Sequence, residues 1–467
     1  GDYFGKLDIH PKANGYEGTF ITANGRYQAP VKVVDNHSIQ IDGNVEGFLA
    51  HFMGRFSADS IAAKVSVMGD LNVYDFRAAR AKKTKVFGQL LDAKTKAPIP
   101  YGHLQAPQGA TLANEEGFFS LPSSLGNSVT VSAIGYKTLI KEIDWRKAPD
   151  NLTVYLSPAD YQLPTVELSA KGFQAKDIVR AAIRRISQNY IQSPYNAQLF
   201  FRYSNYDQSD SLRYQSESLL DFYDSKGYQK RTWRRASTTR FAKIQQGRIL
   251  HGKKEGRLSL DELGNLFVFW SHEPIVTNDK PLSLKSVESY DFKLLSIKEW
   301  AGQEVFEISF NSPKLQERYT GLPELTYFKG KLFINKADFA VLRYELDYEM
   351  DYDFRSRFTR RNWDGSAHRV IKAHIVELFT KQAGAYALSY GKSEKGDTFQ
   401  ELDKDKIVQN ESYSKVLEEY QYFDITVDDV YILTENLLRI DSNTSYDPSF
   451  WQQFNFVPPP LLKNDQR

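Results

Sequence analysis

Val86-Phe87-Gly88-Gln89-Leu90, Asp92, Pro98-Ile99, Gly102-His103-Leu104, Thr111, Asn114, Gly117-Phe118-Phe119-Ser120-Leu121 and Ser128-Val129-Thr130-Val131-Ser132 with Ile134-Gly135-Tyr136 are the stretch on which the fold turns. Each run is short, rich in aromatic and β-branched residues, and closed by Gly, Pro or Asp. Such runs suit a pleated, half-buried surface, and the punctuation marks turns. With Ile99–Leu104 as a returning strand and Leu152–Leu156 at the end, the spacing predicts a sandwich of roughly seven strands over residues 85–160. Phe119, Val129, Val131 and Ile134 are its candidate core.

Composition agrees with a β-rich chain. Aromatic residues make up 14% of the 467, with 28 Tyr and 30 Phe, a bias towards sheets. That length exceeds one comfortable hydrophobic core, so about three domains are expected. The formal net charge of +2 does not mark the whole chain as a nucleic-acid binder. No cysteine is present, which excludes disulfides, thiolate metal sites and a cysteine nucleophile in this chain. No apolar run approaches the roughly 20 residues that a membrane helix needs. The start at Gly1 reads as that of a processed chain.

Residues 1–84 read as a small β barrel or sandwich. Thr19–Thr22 runs into Asn24-Gly25, a hairpin signal. A second pair is expected from Ser38–Ile41 through a turn at Asp42-Gly43 to Gly47–Ala50, and a third from Ser60–Val67 through Met68-Gly69-Asp70 to Val73–Phe76. Arg77–Lys85 is basic and unpatterned, and reads as a linker.

The positions quoted first resemble the carboxypeptidase-regulatory-like domain, a transthyretin-like β-sandwich common in the envelope proteins of Bacteroidetes-type bacteria. The resemblance implies a fold and an envelope setting. It implies no catalysis, because the module is an accessory one.

Residues 161–196 contain a linker and an amphipathic helix over 175–190, with Ile178, Ala182 and Ile186 on one stripe and Arg180, Arg184 and Arg185 elsewhere. Pro194 prevents its continuation. Residues 197–435 read as a large, curved antiparallel sheet with few helices, its strands at 200–206, 216–223, 290–299, 303–310, 327–334, 341–354, 370–379 and 420–427. The run Gly330 to Tyr344, with Asn335 and Asp338, is similar to a hairpin of periplasmic lipoprotein carriers. Residues 436–467, with Tyr446–Trp451 and Pro458-Pro459-Pro460, read as an extended tail along the surface.

Four patterns carry candidate chemistry. Glu345, Asp347, Glu349, Asp351 and Asp353 alternate with apolar and aromatic residues, so a strand places all five carboxylates on one face. Asp347, Glu349, Asp351 and Asp353 are candidate ligands for a hard cation, calcium above all. The commoner arrangement is a solvated face neutralised by neighbouring bases. Lys230 to Arg257 is strongly basic, which suits an anionic partner or, more simply, a hairpin that balances the acidic strand. His374 and Glu377 have an H-x-x-E spacing, but on a strand they point to opposite faces. His272-Glu273-Pro274 is not the zincin motif. Phe267, Phe269, Trp270, Phe328 and Phe333 could line an apolar groove, though clustered aromatics are more often core.

No nucleophile elbow, dinucleotide loop or phosphate loop is present. The expectation is a noncatalytic binding or scaffolding protein of the periplasm or outer membrane of a Gram-negative bacterium, without an organic cofactor and without a nucleic-acid partner. Its partner would be an outer-membrane or periplasmic protein, a peptide or a lipid-like ligand, with any lipid anchor lying upstream of Gly1. The competing class is an envelope hydrolase of peptidase type whose site carries no recognisable motif.

Overall fold

The computed structural model describes residues 5–79 except 13–14, 23–24, 36–37, 46–47, 57–59 and 68–72; 85–159 except 146 and 150; 174–232; 239–252; 273–354 except 278–279; 366–427 except 403–404; and 447, 450, 451, 454 and 458. It is mainly β and divides into two compact units, residues 1–86 with 142–150, and 87–141 with 151–467.

In the first unit β1 (Gly5–Lys12), β2 (Gly15–Thr22), β3 (Gly25–Asp35), β4 (Ser38–Val45), β5 (Phe48–Phe56), β6 (Ser60–Val67) and β7 (Val73–Ala79) form one antiparallel sheet in sequence order. The barrel or sandwich expected here is instead an open meander in which each strand pairs with its chain neighbours. Val31, Ile39, Ile41, Phe52 and Ala63 share one face as its small core. The hairpin after Thr22 is present, since Thr22 pairs with Gly25. The turn expected at Asp42-Gly43 is absent. β4 runs straight through, with Asp42 opposite His51 and Gly43 opposite Ala50. Gly43 serves packing, because a Cβ there would meet the Ala29 Cβ at 2.6 Å. The linker expected from Arg77 begins later, since β7 continues to Ala79.

The sandwich is made of β8 (Lys85–Asp92), β9 (His103–Ala106), β10 (Gly109–Leu112), β11 (Phe118–Pro122), β12 (Ser128–Ser132), β13 (Leu139–Glu142) and β14 (Asn151–Leu156). Its two sheets run β10-β9-β12-β13 and β11-β8-β14. Val86, Leu90, Leu104, Phe119, Val129, Val131 and Leu156 are all buried. The quoted polar residues set the turns. Asp92 Oδ1 accepts from the amides of Lys94 and Thr95 at 2.7 and 2.8 Å, while Asp92 Oδ2 accepts from the Tyr136 hydroxyl. Asn114 Oδ1 accepts from the Phe118 amide at 2.8 Å, and Gly117 takes the positive φ of 77° that this tight return needs.

The large sheet has ten strands, all antiparallel: β15 (Tyr195–Tyr206), β16 (Leu212–Asp224), β17 (Arg240–His251), β18 (Asp291–Trp300), β19 (Gln303–Asn311), β20 (Leu325–Asn335), β21 (Val341–Phe354), β22 (Ser366–Gln382), β23 (Ala385–Leu402) and β24 (Val408–Val427). Their order is β17-β16-β15-β24-β23-β22-β21-β20-β19-β18, so β17 and β18 are the edge strands among the described residues. Sequence reading missed β17 and β23 because both carry charged or small residues at many positions and lack an apolar alternation. It also found β22 and β24 too short for the same reason.

The sheet curls round α1 (Ala175–Asn189). Ile178, Val179, Ala182, Ile183 and Ile186 are buried in a single core with Leu199, Phe201, Phe222, Phe310, Phe328, Tyr344 and Tyr420. The chain from α2 (Pro274–Thr277) to Tyr290 fills the rest of the hollow with Ile275, Val276, Leu282, Val287 and Tyr290. A further short helix, α3 (Glu317–Thr320), connects β19 to β20. The sandwich does not stand apart from this sheet. Tyr101 and Leu112 join Val376, Leu378 and Tyr390 in one apolar cluster, which puts both in the same unit. Of the tail expected over 436–467 only 447, 450, 451, 454 and 458 are described; there Trp451 is 3% exposed and packs in one cluster with Phe200.

Gly330 is a sharp test of this packing, since a Cβ there would lie 2.0 Å from the Glu345 carbonyl oxygen and 2.5 Å from the Phe310 ring. Gly330→Ala is expected to lower unfolding free energy by about 1–3 kcal/mol through overpacking. Gly384→Ser provides the contrast, because nothing lies within 4 Å of its missing Cβ. Its cost, from backbone strain at φ 86°, should come without loss of core packing as read by near-ultraviolet dichroism.

Candidate functional site

The acidic strand β21 lies beside β22, and the register sets a base opposite most of its carboxylates. Asp347 faces His374, Glu349 faces Lys372 and Asp353 faces His368. His374 Nδ1 is 2.7 Å from Asp347, Lys372 Nζ is 3.0 Å from Glu349, and His368 Nδ1 is 2.9 Å from Asp353 and its Nε2 3.4 Å from Asp351. Glu345 pairs with Arg343 on its own strand. His368 holds the Asp353 carboxyl below its usual range, and Lys372 does the same for Glu349. The four candidate calcium ligands therefore do not converge. Among the described residues no group of three or more His, Asp or Glu has metal-holding geometry. His374 and Glu377 are also separated, since Glu377 is buried near Tyr344 and His374 lies among the charged side chains of the other face.

The basic stretch was expected either to meet an anionic partner or to balance this strand, and its described arginines do not pair with the strand. Its described arginines turn to other acids. Arg231 and Arg240 bind Asp224 at 2.6 and 2.8 Å, and Arg240 also binds Glu273 at 2.6 Å. All four of these groups are buried. Burial raises the Glu273 pKa, with Arg240 acting against that rise. Arg234, Arg235, Lys253, Lys254 and Arg257 lie outside the described residues.

The aromatic groove is not assembled either. Phe328 is fully buried within 6.2 Å of both Tyr290 and Phe310, ring centre to ring centre. Phe333 lies on the opposite face under Arg343, 5.1 Å from guanidinium to ring centre. Phe267, Phe269 and Trp270 lie outside the described residues. The hollow of the sheet is occupied by the chain's own side chains. An open groove of about 520 Å³ lies elsewhere, over β18 to β21, lined by Lys293, Ser309, Asn311, Lys329, Lys331 and Asp347 among others. Its lining is charged and mixed in sign.

Sequence reading missed the most deeply buried polar cluster of the molecule. Arg202 has no exposed surface and binds Glu217 at 2.8 Å and Glu419 at 2.7 Å. Arg248 reaches the same Glu217 with Nε at 2.7 Å. The Tyr390 hydroxyl donates to Glu419 at 2.9 Å. Lys392, on the strand beside Glu419, pairs with Glu115 of the sandwich. Burial opposes the Lys392 charge, but Glu115 more than offsets it and raises the pKa. Tyr101 completes the junction, with Tyr390 at 5.8 Å and the Arg343 guanidinium at 4.6 Å from its ring. A signal was present in Phe200-Phe201-Arg202-Tyr203, a lone Arg inside an aromatic strand, because such a charge must find a partner across the sheet. Which acids would meet it depends on β15 lying between β16 and β24, two strands distant in sequence.

This arrangement is suited to holding elements together and to binding through surface side chains. The buried Arg202, Glu217, Glu419, Arg231, Arg240, Asp224 and Glu273 are ion-paired, and no described His joins a hydroxyl and a carboxylate in a nucleophilic relay. Among the described residues no helix is long and apolar enough to cross a membrane, which leaves β-barrels untouched.

No family model matches the chain, and no curated protein matches it. One similar solved structure is a candidate membrane-associated protein of unknown function from Bacteroides fragilis NCTC 9343, 8% identical, covering 73% of this chain and 98% of its own, with a TM-score of 0.13. A likeness at that score supports no inference about fold or function.

Arg202→Met is expected to cost about 3–5 kcal/mol in urea unfolding, because it takes from buried Glu419 its guanidinium partner and leaves Glu217 with Arg248 alone. Glu349→Gln, on the wet face, should cost less than about 1 kcal/mol. A second expectation concerns His103, whose ring lies tilted against Trp300 at 5.4 Å and whose pKa burial lowers from 6.5 to about 4. The folded state then binds fewer protons than the unfolded chain between those values, so stability falls as pH drops through that window. Unfolding midpoints at pH 7 and pH 4.5 should differ more for the parent chain than for His103→Phe.

Proposed function

We propose that this chain is a noncatalytic binding or scaffolding protein of the Gram-negative cell envelope, whose partner is an outer-membrane or periplasmic protein or a peptide. The observation that supports it is the filled hollow of the ten-stranded sheet. A carrier of lipid-like ligands needs an apolar cavity there, and α1 with the segment from Pro274 to Tyr290 takes that space. What the sheet offers instead is outward-facing surface, two edge strands and a rigid junction with the sandwich through Tyr101, Glu115, Tyr390 and Lys392. A rigid platform held by the buried ion pairs named above keeps its surface ready for a partner at little ordering cost.

The envelope setting rests on the resemblance of residues 85–157 to the carboxypeptidase-regulatory-like domain. The accessory nature of that module also supports a noncatalytic reading.

Cross-linking and affinity capture of the native full-length protein from a fractionated envelope should recover one protein partner in near-stoichiometric amount with the outer-membrane fraction. Recovery of the protein in the cytosolic fraction would sink the envelope reading. Turnover of peptide or cell-wall substrates by the purified chain would sink the noncatalytic one.

A further inference from the structure

The groove over β18 to β21 lies on the outer face of the large sheet, and the strand register fixes what stands in it. Lys293 of β18 is directly opposite Ser309 of β19, and Ser309 is directly opposite Lys331 of β20. One step along the strands, Asn311 is opposite Lys329. All five residues line the groove, which has a volume of about 520 Å³. Neighbouring strands lie about 5 Å apart, so Lys293 and Lys331 flank the Ser309 hydroxyl within one lysine stem of a common point above it. Asn311 and Lys329 stand about 7 Å further along.

Positive charge is in surplus around Ser309. The carboxylates of the β21 wall are already answered, Glu345 by Arg343 and Asp347 by His374 at 2.7 Å. Buried Glu307 holds Lys331 at 3.1 Å, but it also holds Lys298 at 3.0 Å, so two cations share one anion. Lys293 and Lys329 make no ion pair among the described residues, and the Lys329 ammonium lies 5.2 Å from the Tyr327 ring centre. Asp291 is the acid that meets no described base, and it stands beside Asn311, away from Ser309.

Uncharged groups add directed hydrogen bonds. Ser309 Oγ has only a long contact of 3.5 Å with the Lys293 carbonyl, which leaves the hydroxyl able to turn to a ligand. Ammonium groups act as point charges, which suits a tetrahedral oxyanion. A planar carboxylate is met better by the fork of an arginine, and no described arginine lines the groove. Asp291, Asp347 and the Asn311 amide, a short reach away, are the acceptors and donors that sugar hydroxyls take.

We propose that this groove is a binding site for a sugar phosphate. The phosphate sits over Ser309 between Lys293 and Lys331, and the hydroxyls of the sugar run along Asn311, Lys329 and Asp347. A lining of mixed sign, which would suit neither a bare anion nor an acyl chain, matches a ligand with one strongly anionic end and one neutral polar end. The groove has the size usual for a small-molecule site. This inference goes beyond the partner-binding reading above, and neither depends on the other.

The test is isothermal titration calorimetry of the full chain in low-salt buffer. The probes are glucose phosphorylated at its primary hydroxyl, glucose, glucuronate and inorganic phosphate. The phosphorylated sugar should give saturable binding, with each of the other three at least about tenfold weaker, because each lacks one half of the recognised chemistry. Lys293→Gln and Ser309→Ala should each weaken the phosphorylated sugar by about tenfold. Lys381→Gln, outside the groove, should leave it unchanged. Lys293 is exposed and carries no ion pair among the described residues, so its variant should keep the parent's urea midpoint, which separates loss of the site from loss of the fold. No saturable heat with the phosphorylated sugar, equal affinity for glucuronate or inorganic phosphate, or indifference to Lys293→Gln overturns the proposal. Recovery of an envelope protein partner alongside any of those results would leave the partner-binding reading standing.

Discussion

Arg202, buried without exposed surface between Glu217 and Glu419, is the interaction on which the large domain depends. It joins the central strand β15 to both of its neighbours through charge as well as through the backbone ladder. Two carboxylates and one guanidinium out of water would be unfavourable by themselves. They are tolerated because Arg248 adds a second cation to Glu217 and the Tyr390 hydroxyl donates to Glu419. The cost of breaking such a set falls on whichever charge is left alone, so it fixes register firmly in a sheet whose long strands could otherwise slip.

Two surfaces follow from that arrangement. On the inner side α1 and Ile275, Val276, Leu282, Val287 and Tyr290 share one continuous apolar core with the sheet. On the outer side the same strands carry a polar layer over which the sandwich and Trp451 are laid. The sandwich is fastened by Tyr101, Leu112 and Glu115, Trp451 by Arg248 and Phe200. The two faces thus divide the work, with hydrophobic filling giving stability within and paired charge giving alignment without.

Much of the local structure was legible. The limits of β21, the helix over 175–189 and the strand runs of the sandwich follow from residue period and punctuation, because these are short-range constraints. Misreadings have particular causes. Asp42-Gly43 has the chemistry of a hairpin turn, yet the close approach of Ala29 gives Gly43 a different use inside a strand. β17 and β23 lack apolar alternation because charged and small residues occupy many of their positions, most of them half-buried. The acidic face of β21 was legible as a face, but its neutralisation by His374, Lys372 and His368 required knowing that β22 pairs with it in that register.

By itself, then, the sequence determined that the chain is mainly β, where β21 lies and roughly where the long helix and many of the strands fall, and that no familiar catalytic motif is present. Periodicity, turn chemistry and composition act over a few residues and can be read from them. Tertiary structure alone decided that the first seven strands form an open meander, that α1 and residues between Pro274 and Tyr290 enter the core of the large sheet, and that Arg231, Arg240 and Arg248 answer Asp224, Glu273 and Glu217. Those outcomes depend on which distant strands become neighbours. A buried charge makes a partner obligatory, but only the folded sheet says which residue it will be.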